Sequence, residues 1–248
     1  MNRIDRSTWN RSILAASLLL AFGSNAWALP TGGAVSAGAA SITGGPGTTT
    51  IGQATQNVTI NWQGFSIGQG EAVRFVQPNS SAVALNRVVG SDPSSILGSL
   101  SANGKVFLVN PNGILFGIGA QVNVGGLVAS TLNISDADFM AGRHKFAGAG
   151  NGTVVNQGSI TAADGGYVAL LGASVSNEGS IVARLGTVAL AAGTNVTLDV
   201  AGDGLLNVAI DQGAMNALVQ NGGLIQADGG RVLISAQGAG ALLQTVVN

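Results

Sequence analysis

The chain has 248 residues, 46% of them hydrophobic, 8% charged and 4% aromatic, with 39 glycines, five prolines and no cysteine. Glycine loses the most backbone freedom on ordering, which argues against a helical globule; collagen is excluded because glycine shows no three-residue period, and disorder because there is ample apolar sequence to bury. The charges nearly balance and are scattered, so no basic stripe marks a nucleic-acid partner.

Residues 1–28 read as a secretory signal peptide. Arg3, Arg6 and Arg11 form a positive start, Ser12 to Phe22 an apolar run, and Ala26-Trp27-Ala28 a pair of small residues at the positions a signal peptidase reads. The apolar run is short for a bilayer span, which needs about 20 residues. Cleavage after Ala28 and passage through the general secretion machinery are therefore expected. Loss of this segment leaves seven basic and ten acidic residues. Without cysteine, no disulfide can lock the exported fold in an oxidising compartment. That suits a long solenoid core that needs no staples, and equally a chain that must stay unfolded until it has crossed a second membrane.

Residues 29–150 carry irregularly spaced strands. Val58 to Trp62 alternates like a half-buried strand, with Gln63-Gly64 as a turn. Ala72 to Val76 is a second strand, ended by Gln77-Pro78-Asn79, and Ala82 to Val88 a third. Trp62 alternates with Ile60 and is expected to pack inside rather than to anchor a ligand. Lys105 to Val109 and Ile114 to Phe116 flank Asn110-Pro111-Asn112-Gly113, whose residue order matches a type I turn. Proline fixes its own φ there, and asparagine bonds readily to nearby backbone groups.

From Thr153 onward the sequence repeats. Val155-Asn156-Gln157-Gly158-Ser159-Ile160 recurs 21 residues later as Ser176-Asn177-Glu178-Gly179-Ser180-Ile181. Gln220-Asn221-Gly222-Gly223-Leu224-Ile225 lies 65 residues beyond the first copy, about three such periods. Each copy precedes a Gly-x-Val-x-aliphatic strand, at Gly166 to Leu170, Gly186 to Leu190 and Gly230 to Ile234. A unit this short cannot bury its apolar side alone, but stacked units can. The expected fold is all-β, a parallel β-helix with asparagine and small residues at the corners. Regular coils should fill residues 151–248, and Thr245 to Asn248 reads as the opening of a further coil in a longer repetitive protein.

Several long motifs occur in fixed order. They are Asn61-Trp62-Gln63-Gly64-Phe65-Ser66-Ile67-Gly68, Val73-Arg74-Phe75-Val76-Gln77-Pro78, Leu85-Asn86-Arg87-Val88, Gly104 through Ile114, and Gly126-Leu127-Val128-Ala129-Ser130-Thr131. In these the chain resembles the two-partner secretion domain of filamentous haemagglutinin and the high-molecular-weight adhesins, over residues 29–248. The resemblance implies a right-handed β-helix with an amino-terminal cap and small extra-helical sheets. It also implies recognition by periplasmic domains of a dedicated outer-membrane barrel transporter, and delivery outside the cell or to its surface. Carried over residue by residue, Asn110, Pro111, Asn112, Gly113 and Ile114 match the hallmark secretion motif. Asn86, Arg87 and Val88 belong to the same signature. The family's Asn-Pro-Asn-Leu motif is missing; Gln77-Pro78-Asn79-Ser80 comes nearest, which sets the chain closer to the adhesin-like branch.

Two other classes compete. A polysaccharide-acting β-helix enzyme needs acidic residues converging on one face. Asp136 and Asp138 are the closest pair and read as a solvated loop, Asp164 and Asp228 as turn residues, and His144 as part of an exposed basic loop with Arg143 and Lys145. No nucleophile elbow, metal-ligand cluster or phosphate loop is present, so no enzyme, cofactor or metal is expected. An adhesin domain with its own ligand site lacks aromatic anchors. Host-cell binding is instead expected in downstream repeats. Asn57-Val58-Thr59 and Asn133-Ile134-Ser135 are weak glycosylation triplets.

Overall fold

A computed structural model describes residues 28–148, 152–200 and 206–238. Ala26 and the rest of the expected signal segment before Ala28 lie outside the described residues, as does Thr245 to Asn248. Among the described residues the chain winds through three faces. Face A is an eight-stranded sheet built in the order Ala34–Ala37, Asn57–Trp62, Val83–Val88, Lys105–Val109, Gly126–Ser130, Tyr167–Gly172, Thr187–Ala192 and Arg231–Ala236. Face B has five strands, from Ser94–Ile96 through Ile114–Phe116, Thr153–Asn156 and Ser174–Asn177 to Leu218–Asn221. Face C has eight, from Ala40–Gly45 and Thr48–Gln53 through Ala72–Val76, Ser99–Ala102, Gln121–Val124, Ser159–Ala162 and Ser180–Val182 to Leu224–Gln226. Successive coils pair in parallel, giving the expected β-helix.

The 21-residue shift read from the sequence is the structural register: Val154 lies beside Val175 and Asn156 beside Asn177. The third copy corrects the expectation. Asn221 pairs directly with Asn177, so it sits one coil further on, not two. The extra length is an excursion, the hairpin Asn195–Val200 and Leu206–Gln212, within the stretch expected to hold only regular coils. It leaves at Gly193 and returns at Gly213, where Thr194 N–H donates to the Gln212 carbonyl at 2.8 Å, so the coil resumes in register.

Strands facing solvent alternate as the pleat requires; Gln121–Val124 points Val122 and Val124 inward and the other two outward. Face A does not alternate. Tyr167–Gly172 and Thr187–Ala192 are buried along their whole lengths, which is how strands covered on both sides read. Inward, Val106, Leu108, Leu127, Val168, Leu170, Val188 and Leu190 fill the coil interior. Outward, Leu85, Phe107, Val109, Val128, Ala169 and Leu171 meet a second apolar cluster contributed by Leu132, Ile134, Phe139, Phe146, Val196, Leu198 and Leu206. Each fully buried side chain of this kind contributes about 1.5–3 kcal/mol, so the two layers are energetically comparable per residue.

The coils stack close enough that two corners admit no side chain. A Cβ on Gly166 would lie 2.2 Å from the Gly125 carbonyl oxygen, and one on Gly186 only 1.9 Å from that of Gly166. A parallel column runs from Gly158 through Gly179 to Gly223. Elsewhere a corner position departs from glycine: Leu185 stands where its neighbours have Gly165 and Gly229, with φ at 55°. A left-handed conformation costs a bulky residue about 1–2 kcal/mol. The asparagine corners form a ladder, Asn156 Nδ2 donating to Asn177 Oδ1 and Asn177 Nδ2 to Asn221 Oδ1, each at 2.7 Å.

At the amino-terminal end Ala34–Ala37 runs antiparallel to Asn57–Trp62, and Ala40–Gly45 folds back on Thr48–Gln53. This reversal caps the solenoid, which would otherwise expose a templating edge. Trp62 is 1% exposed and packs under the cap as expected.

Candidate functional site

Asn110 to Gly113 form the corner between faces A and B. Gly113 N–H donates to the Asn110 carbonyl at 3.1 Å, closing the turn read from the sequence. Asn110 is fully buried, and its amide is spent inside the fold. Its Nδ2 donates to the Asp92 carbonyl and to Ser94 Oγ, both at 3.0 Å, while Oδ1 accepts from Asn112 N–H at 3.0 Å and Asn112 Nδ2 at 3.2 Å. Pro111 and Asn112 are exposed. Asn112 Nδ2 also reaches the Gly90 carbonyl at 3.0 Å. Above the turn, a Cβ on Gly152 would lie 2.4 Å from the Gly113 nitrogen, so the next coil presses on it without a side chain. Ile114 enters the core.

The second motif adjoins the first. Asn86 to Val88 lie on the face A strand one coil below, and Arg87 pairs with Val109, the residue before Asn110. The Gly90 carbonyl bonded by Asn112 follows two residues after Val88. Asn86 is fully buried and points inward; it accepts a hydrogen bond from Trp62 Nε1 at 3.0 Å and donates to the Ala84 and Phe107 carbonyls. A lone amide in this core is tolerated because its groups have partners. Val88 packs in the coil interior.

Arg87 points outward and is 14% exposed. Its guanidinium donates to Asn133 Oδ1 at 2.9 Å, to Asn61 Oδ1 at 3.2 Å and to the Ile134 carbonyl, and forms an ion pair with Asp136 at 2.7 Å. Asp136 Oδ2 in turn accepts from Ser36 Oγ of the cap at 3.0 Å. One side chain thus ties together the first coil, the cap and the outer layer. Sequence reasoning missed Asn61, Asn133 and Asp136 as partners. Asn61 was recoverable, since aligning Asn57–Trp62 with Val83–Val88 makes it the register neighbour of Arg87; the other two lie 46 and 49 residues away with no repeat to announce them.

Two readings of the outer segment are corrected. Asp136 and Asp138 lie in a short helix, Asp136–Met140, not a loop; Ser135 caps it by accepting from Asp138 N–H. The Ser135 hydroxyl and then Arg143 hold the Asp138 carboxyl below the usual range. His144 is not in an exposed loop. It opens the strand His144–Ala147, which pairs antiparallel with Asn195–Leu198, and its ring lies 5.1 Å from Phe107 and 6.4 Å from Phe139. Strand alternation turns His144 and Phe146 onto the apolar outer face and leaves Arg143 and Lys145 exposed. Burial, then the charge of Lys105, push the imidazole below its ordinary range, against a smaller upward pull from Asp199. Asp164 and Asp228 do occupy turns, and Asp164 pairs with Arg184 across a corner.

Gln77, at the place nearest the missing second motif, is a buried corner residue. Its Oε1 accepts from Gly104 N–H at 2.9 Å and its Nε2 donates to Gln53 Oε1 at 2.9 Å. It does there what asparagine does at 110.

The family model of the TPS secretion domain matches residues 26–248. A heme/hemopexin-binding protein of Haemophilus influenzae is 38% identical over 220 residues, 85% of this chain and 24% of that protein. Another protein of that name from the same species is 36% identical over 222 residues, 80% of this chain and 23% of that protein. The chain therefore spans about a quarter of the length of the curated relatives it matches. The solved HMW1 secretion domain from Haemophilus influenzae matches with a TM-score of 0.77 at 36% identity, covering 84% of this chain and 56% of that one. With the capped parallel β-helix in place, the chain belongs to the family of TPS secretion domains.

Proposed function

We propose that this chain is the amino-terminal secretion module of a large, non-enzymatic surface or secreted protein, and that Asn110 to Ile114 with Asn86 to Val88 are read by its transporter before the domain folds. Proteins of this family are exported to be secreted or surface-associated and depend on a dedicated outer-membrane transporter. In the finer reading, cleavage after Ala28 releases residues 29–248 into the periplasm. Periplasmic domains of the barrel take hold of an extended segment, using main-chain pairing at a sheet edge. Outside, the capped end folds first and templates each following coil, whose buried aliphatic surface opposes backward sliding.

The observation that carries this reading is the burial of Asn110. All its polar groups have partners within the corner, and none is offered to solvent. A receptor can read that amide on the unfolded chain alone, and closing the turn withdraws it. Substituting Asn110 and Asn112 with alanine is expected to reduce surface delivery several-fold while the signal peptide is still processed, as read by immunoblots of periplasm and medium. Unchanged delivery would return Asn110 to Gly113 to the status of a structural turn. Because the two curated relatives are named heme/hemopexin-binding proteins, binding of heme or hemopexin is the activity to test first for the complete protein, and we place it in repeats beyond this module.

A further inference from the structure

The outer layer has two parents far apart in sequence. One is residues 131–148, with the helix Asp136–Met140 and the strand His144–Ala147. The other is the strand pair Asn195–Val200 and Leu206–Gln212. Their three strands form one antiparallel sheet with Asn195–Val200 in the middle. Among the described residues the strand His144–Ala147 has one further pairing, a bridge from Ala147 to Asn133. Before residues 195–200 arrive, its other edge has nothing to bond to.

The hairpin is also what finishes the apolar cover. Val196, Leu198 and Leu206 are buried against the outer side of face A, with Val208 and Ile210 half-buried beside them. Phe146 pairs with Val196 and His144 with Leu198, 50 and 54 residues away, farther than neighbouring coils, which meet 20 to 44 residues apart. Such long closures cost more chain entropy and form late. The strand pair leaves and rejoins the coil at one base, and it touches the coils through Leu206 N–H, which donates to Thr187 Oγ1 at 3.2 Å, and Asn207 Oδ1, which accepts from Arg231 Nη1 at 2.7 Å. Its base is tied by Thr194 to the Gln212 and Gly213 carbonyls, and the coil path runs past it unbroken, with Leu218–Asn221 stacked on Ser174–Asn177. The ladder pairing of Leu218–Asn221 with Ser174–Asn177 and of Arg231–Ala236 with Thr187–Ala192 includes no residue of the strand pair.

We propose that the paired strands Asn195–Val200 and Leu206–Gln212 are a latch that closes last. The coils wind without it, and until it docks, face A keeps an open apolar outer side and residues 144–147 an unpaired edge. In the secretion reading given above, this sets a checkpoint: the cap and first coils can form outside the cell, but the outer face seals only once Gln212 has emerged.

Trypsin tests this on the purified mature chain, residues 29–248. Arg143 and Lys145 are exposed side chains at the start of the latched strand; Arg184, just as exposed, sits at a coil corner outside the outer layer, and Lys105 opens a coil strand. Leu198→Asp should raise cleavage after Arg143 and Lys145 at least tenfold and leave the rates after Lys105 and Arg184 at their parent values. Leu198→Ala, a milder change, should give the same selectivity with a smaller rise. Cleavage after Arg143 and Lys145 at the parent rate would overturn the latch, and so would equal acceleration at all four sites in the alanine variant, since the layer would then be inseparable from the coils. The readout needs no transporter, so an unchanged export of the Asn110 and Asn112 variants would defeat the secretion-motif reading and leave the latch untouched.

Discussion

The coil interior and the outer layer of face A bury the same kinds of side chain, yet they are assembled by different rules. Inside, Val168 stacks on Val188 and Leu170 on Leu190, and each coil repeats the contacts of the one before. Outside, Phe107 is covered by Phe139, His144 and Phe146, three residues from a segment with no counterpart in other coils. The interior is therefore approximately one-dimensional, with stability added coil by coil. The outer layer is a small globular core whose members must all be present together. Arg87 is where the two meet, with its backbone in the coil ladder and its guanidinium in the outer network.

The sharpest test of this division is Phe107→Ala. Removing a fully buried phenylalanine costs about 3–5 kcal/mol, and here the loss should fall on the outer layer first. Hydrogen exchange is expected to accelerate most at residues 144–147 and 195–198, with Ile160 and Ile181 on face C nearly unchanged. Equal acceleration at both places would merge the two regions into one cooperative unit. The converse change, Asn177→Ala, strikes the interior ladder. It strands the buried donor of Asn156, at about 1–3 kcal/mol for an unsatisfied buried group, and frees the exposed Asn221 acceptor to water. A lower urea midpoint with residues 144–147 still protected from exchange is the expected outcome.

The smallest effect is in pH. His144 is held below its ordinary range in the folded chain, while in the unfolded chain it titrates near about 6.5. The unfolded state then binds the extra proton first as pH falls. Stability is fully present above the unfolded value and declines as pH drops toward the folded one, below which the dependence flattens. The urea midpoint should therefore fall between pH 7.5 and 5.5. His144→Phe should abolish that slope; a slope that persists would assign it to other groups.

Much of the coil architecture was open to reading from residue order alone. Repeats at Asn156, Asn177 and Asn221 announced the asparagine corners, and Gly166, Gly186 and Gly230 the close approaches, because identical units meet identical neighbours. The Asn110 turn was legible for a local reason, since proline and asparagine bias the backbone within four residues. The count of coils was not, because an excursion of about one coil length mimics the period it interrupts. Nor were the roles of Arg87 and His144. Asn133 and Asp136 beside Arg87 and Leu198 beside His144 lie 46, 49 and 54 positions away with no pattern to link them, and packing between a twisted sheet and a separate layer decided them. Sequence by itself determined the repeating path of this chain and its turns, which rest on short-range chemistry; only the tertiary structure decided which side of that path is sealed, by what, and through which arginine.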